Sequence, residues 1–203
     1  MTTLAPPELR KTLRNRRQQL STQQQKMHSQ QACQALLSSN LLQGVKRIAL
    51  FLSQDGELST ENLIDQLWLN PDLELYLPAL ETQPDWHMGF SPYTSKSKMI
   101  KNQFNIEEPD IATSEHLAGC EMDLVIMPLV GFDQNGNRMG MGGGYYDRTF
   151  EFKLQHPNRK PLLVGWAHSC QQVACLDKQV WDVPLNVIVT ENGLLNWGKI
   201  NQE

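Results

Sequence analysis

The segment MDLVIMPLV, residues 122–130, constrains the fold of this chain most strongly. It is a short, continuous apolar run, which is typical of a strand in a parallel sheet that is covered on both faces. Four more runs rich in β-branched and apolar residues predict further strands: 45–53, 73–78, 162–168 and 185–190. The sequence therefore predicts a sheet of several buried strands.

Helical patterns alternate with these strands. Leu9 and Leu13 repeat at one helical turn after two prolines, and Ser21 and Gln24 form a capping box at the start of a second helix, which we expect to end by Gly44. Residues 60–68 and about 145–154 also have helical spacing. Residues 85–118 show no clear pattern, and we expect short strands and loops there.

The alternation of strands and helices predicts an α/β protein with a three-layer α/β/α sandwich and a mainly parallel central sheet. The sequence shows no internal repeat, low-complexity tract or linker. We therefore expect a single domain over residues 1–203, with N-terminal helices at about 6–43 packed on the α/β core.

Composition excludes several classes of function. The net charge is −4, which gives no overall attraction to nucleic acid or to an anionic membrane. No apolar run approaches the roughly 20 residues that span a bilayer, and the N-terminal segment does not resemble a signal peptide. We expect a cytoplasmic protein with reduced thiols. The five histidines are scattered along the sequence, which argues against metal binding by imidazole.

The segment MPLVGFDQNGNRMGMGGGYYDR, residues 127–148, contains most of the residues suited to chemistry. It follows a buried strand, where open α/β sheets bind their ligands. Its glycines leave N–H groups that can approach phosphate oxygens, and a helix beginning near Tyr145 would add its positive N-terminus. Arg138 can bind a phosphate with two hydrogen bonds, and Asp147 can hold Mg²⁺. The spacing is neither a P-loop nor GxGxxG, so glycine content alone leaves a flexible turn as an alternative.

The complete motif resembles the signature of the 5-formyltetrahydrofolate cyclo-ligase family, also called methenyltetrahydrofolate synthetases. The matching residues are Pro128, Phe132, Asp133, Gly136, Arg138, Gly140, Gly142, Gly144, Tyr145, Tyr146 and Asp147. Met139 replaces the usual Leu of the family. Met141 and Gly143 stand at positions that can carry Arg and Lys in relatives.

Other segments resemble the same family. LRKTLRNRRQQLS, residues 9–21, is similar to its basic first helix and places the shared arginine at Arg10. The preceding basic position would then be Pro6, and a shifted register that uses Arg10 and Arg14 remains an alternative. FLSQDGELST, residues 51–60, is similar to the segment in which a glutamate contacts the pterin of the folate, here Glu57.

The resemblance implies a fold similar to that of sugar-phosphate isomerases and CoA transferases. It also implies an ATP- and Mg²⁺-dependent closure of 5-formyltetrahydrofolate to 5,10-methenyltetrahydrofolate through a phosphorylated formyl group. We expect a monomer that acts on small molecules, with neither nucleic acid nor membrane as a partner.

The resemblance also implies roles for individual residues. The catalytic residues would be Arg138, Tyr145 and Asp147. ATP would contact Arg10, Arg14, Arg138, Met139, Gly140, Met141, Gly142, Gly143, Gly144, Tyr145 and Tyr146. The folate would contact Leu52, Glu57, Met141, Gly142, Gly143, Gly144 and Tyr145, and Asp147 and Asp182 would hold the metal.

Two other functions remain open from the sequence. One is a different ATP-dependent phosphotransferase or ligase on the same fold. The other is a non-catalytic protein that binds nucleotide or folate, for which the departures at Pro6, Met141 and Gly143 are the best support. Turnover distinguishes the binding protein from an enzyme.

Overall fold

A seven-stranded sheet forms the centre of the computed structural model, which describes residues 5–80, 88–102, 105–110, 112 and 115–197. The strands are β1 (Arg47–Ala49), β2 (Glu74–Leu80), β3 (Met88–Pro92), β4 (Met99–Lys101), β5 (Glu107–Pro109), β6 (Leu124–Met127), β7 (Gly131–Asp133), β8 (Arg138–Met139), β9 (Leu162–Trp166), β10 (Gln172–Val173), β11 (Val187–Thr190) and β12 (Gly193–Asn196). The order in the large sheet is β12-β11-β9-β6-β1-β2-β3. Its five inner strands are parallel, and the edge strands β3 and β12 are antiparallel.

The helices are α1 (Pro6–Gln18), α2 (Thr22–Leu37), α3 (Glu61–Trp68) and α4 (Tyr145–Thr149). Apolar residues of α2 and α3 pack on one face of the sheet, against side chains such as Ile48 and Ile126. Their chain neighbours Ala49 and Val125 point to the other face, where Phe150 at the end of α4 joins the core. The predicted three-layer α/β/α fold is confirmed.

The apolar run at 122–130 contains β6, whose four residues are all buried between β1 and β9. The predicted strand at 45–53 is shorter than expected, because β1 ends at Ala49. After Leu50, whose amide still bonds the carbonyl of Tyr76, the chain leaves the sheet. The sequence did not predict the antiparallel pairs β2–β3, β11–β12 and β7–β8, which lie at the edges or outside the large sheet.

The predicted capping box is confirmed, since Ser21 and Gln24 exchange hydrogen bonds at the start of α2. The predicted helix at 145–154 is interrupted: α4 ends at Thr149, and a short 3-10 helix covers Glu151–Leu154. Among the described residues, no helix has both the length and the apolar character that crossing a bilayer requires.

Helix α1 reaches the carboxyl ends of the parallel strands. A Cβ atom at Gly131, the first residue of β7, would overlap the side chain of Leu13, so glycine permits this close packing. Further along α1, Arg17 donates to the carbonyl of Leu129, which follows β6. This packing places Arg10 of α1 beside the glycine-rich motif.

Candidate active site

A cavity of about 1120 Å³ opens at the carboxyl ends of β1, β2 and β6. Its walls come from α1, from the segment after β1, from the glycine-rich motif and from residues 175–182, with further residues from β2, β3 and the region of β4 and β5. The residues predicted from the sequence that line it are Arg10, Leu52, Glu57, Arg138, Met139, Gly140, Met141, Gly142, Gly143, Gly144, Tyr145, Tyr146, Asp147 and Asp182. Arg14 is the one predicted site residue that does not line it.

The glycine loop, residues 140–144, follows the short hairpin β7–β8. Gly142 has φ of 102° and Gly144 has φ of 68°, values that residues with a Cβ atom rarely adopt. Within the part of the chain that the structure describes, the amides of residues 140–144 donate no backbone hydrogen bond. The loop therefore presents N–H groups that can donate hydrogen bonds to an anion.

Arginines hold the carbonyl groups of the glycine loop. The Nε atom of Arg10 donates to the carbonyl of Gly140 at 2.9 Å, and Arg148 donates to the carbonyl of Gly143 at 2.9 Å. A Cβ atom at Gly142 would lie 3.9 Å from the Cζ atom of Arg10. These contacts leave positive charge beside the unpaired amides, which is the chemistry of a phosphate site.

The expected contribution of a helix N-terminus is smaller than the sequence suggested. Helix α4 has five residues, and its first turn is preceded by Gly144 in the left-handed conformation. A helix dipole comes from aligned peptide units, so a helix of this length adds little. Phosphate binding would depend mainly on the loop amides and on the arginines.

Arg138, which is buried, and Asp147, which is partly exposed, form an ion pair beside the loop. The Nη2 atom of Arg138 lies 2.6 Å from Oδ1 of Asp147, and the same oxygen accepts from the amide of Val183 at 3.1 Å. Burial lowers the pKa of Arg138, although Asp147, Tyr146 and Asp182 oppose the shift. Its buried Nε atom has no partner among the described residues. A buried cation with a free donor atom suits an anionic ligand.

Glu57 also lines the cavity, in the segment after β1. Its carboxylate accepts from the amide of Gln54 at 3.0 Å and lies 3.6 Å from Nη1 of Arg17. Burial raises the pKa of Glu57, and the hydrogen bond from Gln54 and the charge of Arg17 only partly offset it. An exposed surface glutamate would not show this environment.

A profile of the 5-formyltetrahydrofolate cyclo-ligase family matches residues 3–191. The chain belongs to this family. Two bacterial relatives carry the name 5-formyltetrahydrofolate cyclo-ligase. The chain is 38% identical over 185 residues to the Escherichia coli protein, covering 91% of this chain and 100% of the relative. It is 39% identical over 185 residues to the Haemophilus influenzae protein, covering 91% of this chain and 97% of the relative.

The cyclo-ligase family is also represented among solved structures. The fold is similar to that of the 5,10-methenyltetrahydrofolate synthetase from Aquifex aeolicus, with a TM-score of 0.79 and 28% sequence identity. The match covers 98% of this chain and 97% of the Aquifex chain. The resemblance that the sequence motif indicated is therefore confirmed over nearly the whole chain.

The two arginines that the cyclo-ligase motif left as alternatives have different positions. Arg10 lines the cavity, together with Pro6. Arg14 instead bonds Asp55 at 2.8 Å, and 39% of its side chain is exposed. The hydrogen bond from Arg14, with those from Arg17 and Gln18, outweighs burial and lowers the pKa of Asp55 to about 2.

Asp133 belongs to the cyclo-ligase motif but does not line the cavity. Its buried carboxylate accepts from the amides of Asn135 and Asn137, from the side chain of Asn137, and from the amide of Leu176. It thereby fixes the turn that leads to Arg138 and ties it to the segment 175–182 of the cavity wall.

Arg17 is a residue whose importance the sequence did not indicate. Only 1% of its side chain is exposed, and it bonds Asp55 and the carbonyl of Leu129 while lying near Glu57. In the sequence it shares a basic i, i+4, i+7 stripe with Arg10 and Arg14, and the signal that sets it apart is its position four residues after Leu13, on the buried face of α1.

Proposed function

We propose that this protein closes 5-formyltetrahydrofolate to 5,10-methenyltetrahydrofolate with ATP, releasing ADP and phosphate. Membership of the cyclo-ligase family gives the reaction. The observation that best supports this reaction for the present chain is the position of the glycine loop. Its unpaired amides and flanking arginines share one cavity with Glu57. Pockets for a single drug-sized ligand measure about 300–1,000 Å³, so a cavity of about 1120 Å³ suits two co-substrates.

The chemistry requires activation of a poor leaving group. The γ-phosphoryl group passes to the formyl oxygen as its bond to ADP breaks, giving an N5-iminium phosphate. N10 then attacks the formyl carbon and loses its proton, and the carbon–oxygen bond breaks to release phosphate. Phosphoryl transfer depends mainly on positioning and on neutralising charge. This agrees with a site rich in arginine and backbone amides, in which the proposed catalytic residues are Arg138, Tyr145 and Asp147.

ATP phosphates would bind the amides of the glycine loop, with Arg10 and Arg138 supplying positive charge. Met139, Tyr145 and Tyr146 complete this part of the cavity. For Arg14, we propose an indirect role: its ion pair with Asp55 holds the turn before Glu57, rather than contacting ATP.

The folate would bind toward Leu52 and Glu57, with Met141, the loop glycines 142–144 and Tyr145 between it and ATP. The Glu57 carboxylate can accept hydrogen bonds from the pterin N–H groups. Because burial raises its pKa, the charged form lacks full solvation in the free protein. A ligand that donates hydrogen bonds to it would therefore be bound selectively.

Asp147 and Asp182 fit a magnesium ion. Both side chains line the cavity, and carboxylate oxygens are the ligands that Mg²⁺ prefers. The two described hydrogen bonds to Asp147 both fall on Oδ1, which leaves Oδ2 available. When bound with ATP, the ion would neutralise charge on the phosphates. The ion pair with Arg138 keeps the Asp147 carboxylate in position.

We further propose that the protein acts in the cytoplasm as a monomer, on small molecules and without nucleic acid or a membrane. The net charge of −4 supports the last point, because it provides no overall attraction to nucleic acid or to an anionic membrane.

The decisive experiment mixes the purified protein with ATP, Mg²⁺ and 5-formyltetrahydrofolate and follows the absorbance of the methenyl product. One ADP should form for each product molecule, and omitting ATP should abolish the reaction. Saturable binding of both ligands without product would establish a non-catalytic binding protein instead. ATP consumption that does not depend on the folate would indicate a different phosphotransferase.

A further inference from the structure

Three potential metal ligands lie together outside the cavity. His28 is on α2, His168 follows β9 and Glu191 follows β11. The parallel strands β9 and β11 end at the same edge of the sheet, which brings the last two side chains together beneath α2. None of the three residues lines the cavity of the proposed active site.

The distances in this cluster suit a tetrahedral metal ion. The Nδ1 atoms of His28 and His168 are 2.9 Å apart, and Nδ1 of His28 is 3.6 Å from Oε1 of Glu191. One ligand atom from each residue lies within 4.8 Å of the others. With zinc–ligand bonds of about 2.0–2.1 Å, tetrahedral geometry places ligand atoms about 3.3 Å apart. The observed distances lie on both sides of that value.

The surroundings of the cluster support ligand roles. Ser169 donates to Glu191 through its backbone amide, at 2.9 Å, and through its hydroxyl, which fixes the carboxylate. The Nε2 atom of His168 is buried and has no hydrogen bond of standard geometry among the described residues, although the backbone of Gly56 lies near it. Metal-binding histidines usually have such an outer contact to a carbonyl or carboxylate.

We propose that His28, His168 and Glu191 form a binding site for a divalent transition-metal ion, for which Zn²⁺ is the best match. Two imidazoles and one carboxylate are a known zinc ligand set, whereas Mg²⁺ prefers oxygen ligands alone. The partial exposure of His28 and Glu191, 13% and 8% of their side chains, leaves room for water as a fourth ligand. The proposal does not depend on the proposed catalytic function.

A metal ion here would join three elements that are distant in sequence. It would link α2 to the ends of β9 and β11, which stabilises the folded chain because the unfolded chain lacks the preformed site. The same region adjoins the cavity wall: Gln171 accepts from the amide of His168 and donates to the carbonyls of Leu129 and Val130. Leu129 lines the cavity.

The test uses the full chain, stripped with a chelator and kept in excess Mg²⁺ so that sites with oxygen ligands alone are filled. Zn²⁺ is titrated by calorimetry, and Co²⁺ is added separately for visible absorption spectra. We expect one equivalent to bind, an intense tetrahedral Co²⁺ spectrum and a higher melting temperature with Zn²⁺. His28→Gln and Glu191→Gln should each weaken Zn²⁺ binding at least about tenfold and remove the stabilisation.

A matched control is His156→Gln, which removes an exposed imidazole from another surface. A second control is Cys175→Ser, which removes an exposed thiol that could bind Zn²⁺ adventitiously. Both variants should bind like the parent. The proposal is overturned if the parent does not bind Zn²⁺, or if His28→Gln and Glu191→Gln leave affinity and stabilisation unchanged. In that case the two imidazoles only share a hydrogen bond.

Discussion

The Nε atom of Arg10 donates a hydrogen bond to the carbonyl oxygen of Gly140 at 2.9 Å, although 130 residues separate them. The contact holds one end of the glycine loop against α1 and turns a guanidinium group toward the proposed phosphate site. Arg14, one turn later on α1, pairs with Asp55 instead. The two arginines therefore provide a matched pair of substitutions.

Arg10→Met should weaken ATP binding by about 1.5–3 kcal/mol, the usual contribution of a hydrogen bond to a charged group. That corresponds to roughly 10–150-fold in the dissociation constant for ATP. Calorimetric titration with ATP measures it. Arg14→Met is the control and should bind ATP nearly as well as the parent, because its partly exposed ion pair contributes little. Equal losses in both variants would assign ATP contact to both arginines.

Glu57→Gln should weaken folate binding by about 1.5–3 kcal/mol while leaving ATP affinity nearly unchanged, since a charged acceptor for the pterin is lost. Separate titrations with each ligand measure the two affinities. A comparable loss for ATP would indicate a disturbed fold or a wrong site.

The same substitution should change the pH dependence of stability. The pKa of Glu57 is raised in the folded protein, mainly by burial, so the folded state binds this proton more tightly than the unfolded state does. The contribution to stability is therefore present below the usual glutamate pKa of 4.5 and is lost as the pH rises through the folded value. Without ligand, Glu57→Gln should be at least as stable as the parent at pH 7, and the difference should shrink below pH 4.5. Thermal unfolding across this range measures it, and a variant less stable at pH 7 would contradict the argument.

Asp147→Asn should raise the Mg²⁺ concentration needed for half-maximal turnover by about tenfold or more, because the ion loses a charged ligand. It should also lower the free energy of unfolding by about 3 kcal/mol, since Arg138 is left buried without its counter-charge. Asp182→Asn is the comparison: it should change the Mg²⁺ requirement without a similar loss of stability. If neither variant alters the Mg²⁺ requirement, the assignment of these carboxylates to the metal is wrong.

Gly142→Val tests the phosphate role of the glycine loop. A Cβ atom at Gly142 would meet no described atom closer than 3.9 Å, so the substitution is strained by the φ of 102° and not by crowding. In the parent, ATP at a hundredfold excess over its dissociation constant should stabilise the fold by about 2.7 kcal/mol. The variant should remain folded and lose that stabilisation, as thermal unfolding with and without ATP would show.

Gly193→Val is the control for backbone strain. Gly193 has φ of 110°, a Cβ atom there would meet no described atom within 4 Å, and the residue lies outside the cavity. The variant should lose similar stability without ligand but keep the full effect of ATP. A Gly142→Val protein that retains parental ATP stabilisation and turnover would refute the phosphate role.

The elements that the sequence predicted best are those with a continuous local signal. The buried run at β6 and the capping box of α2 are examples, because both depend on residues within one short segment. The hairpin β7–β8 was missed because its strands have three and two residues and lie inside a motif dominated by glycine. The helix predicted at 145–154 was too long. The side chain of Phe150 is buried in the core, and the chain then continues as a 3-10 turn instead of an α-helix.

The sequence by itself determined the family, the α/β/α architecture and the set of residues in the glycine-rich motif, because these reside in contiguous patterns. Only the tertiary structure placed Arg10 but not Arg14 in the cavity wall, showed the buried contacts of Arg17 and Asp133, and brought His28, His168 and Glu191 together. The physical reason is that parallel strands collect their carboxyl ends at one edge of the sheet. Residues that are far apart in the chain come into contact there, and the local spacing of residues in the sequence does not predict these contacts.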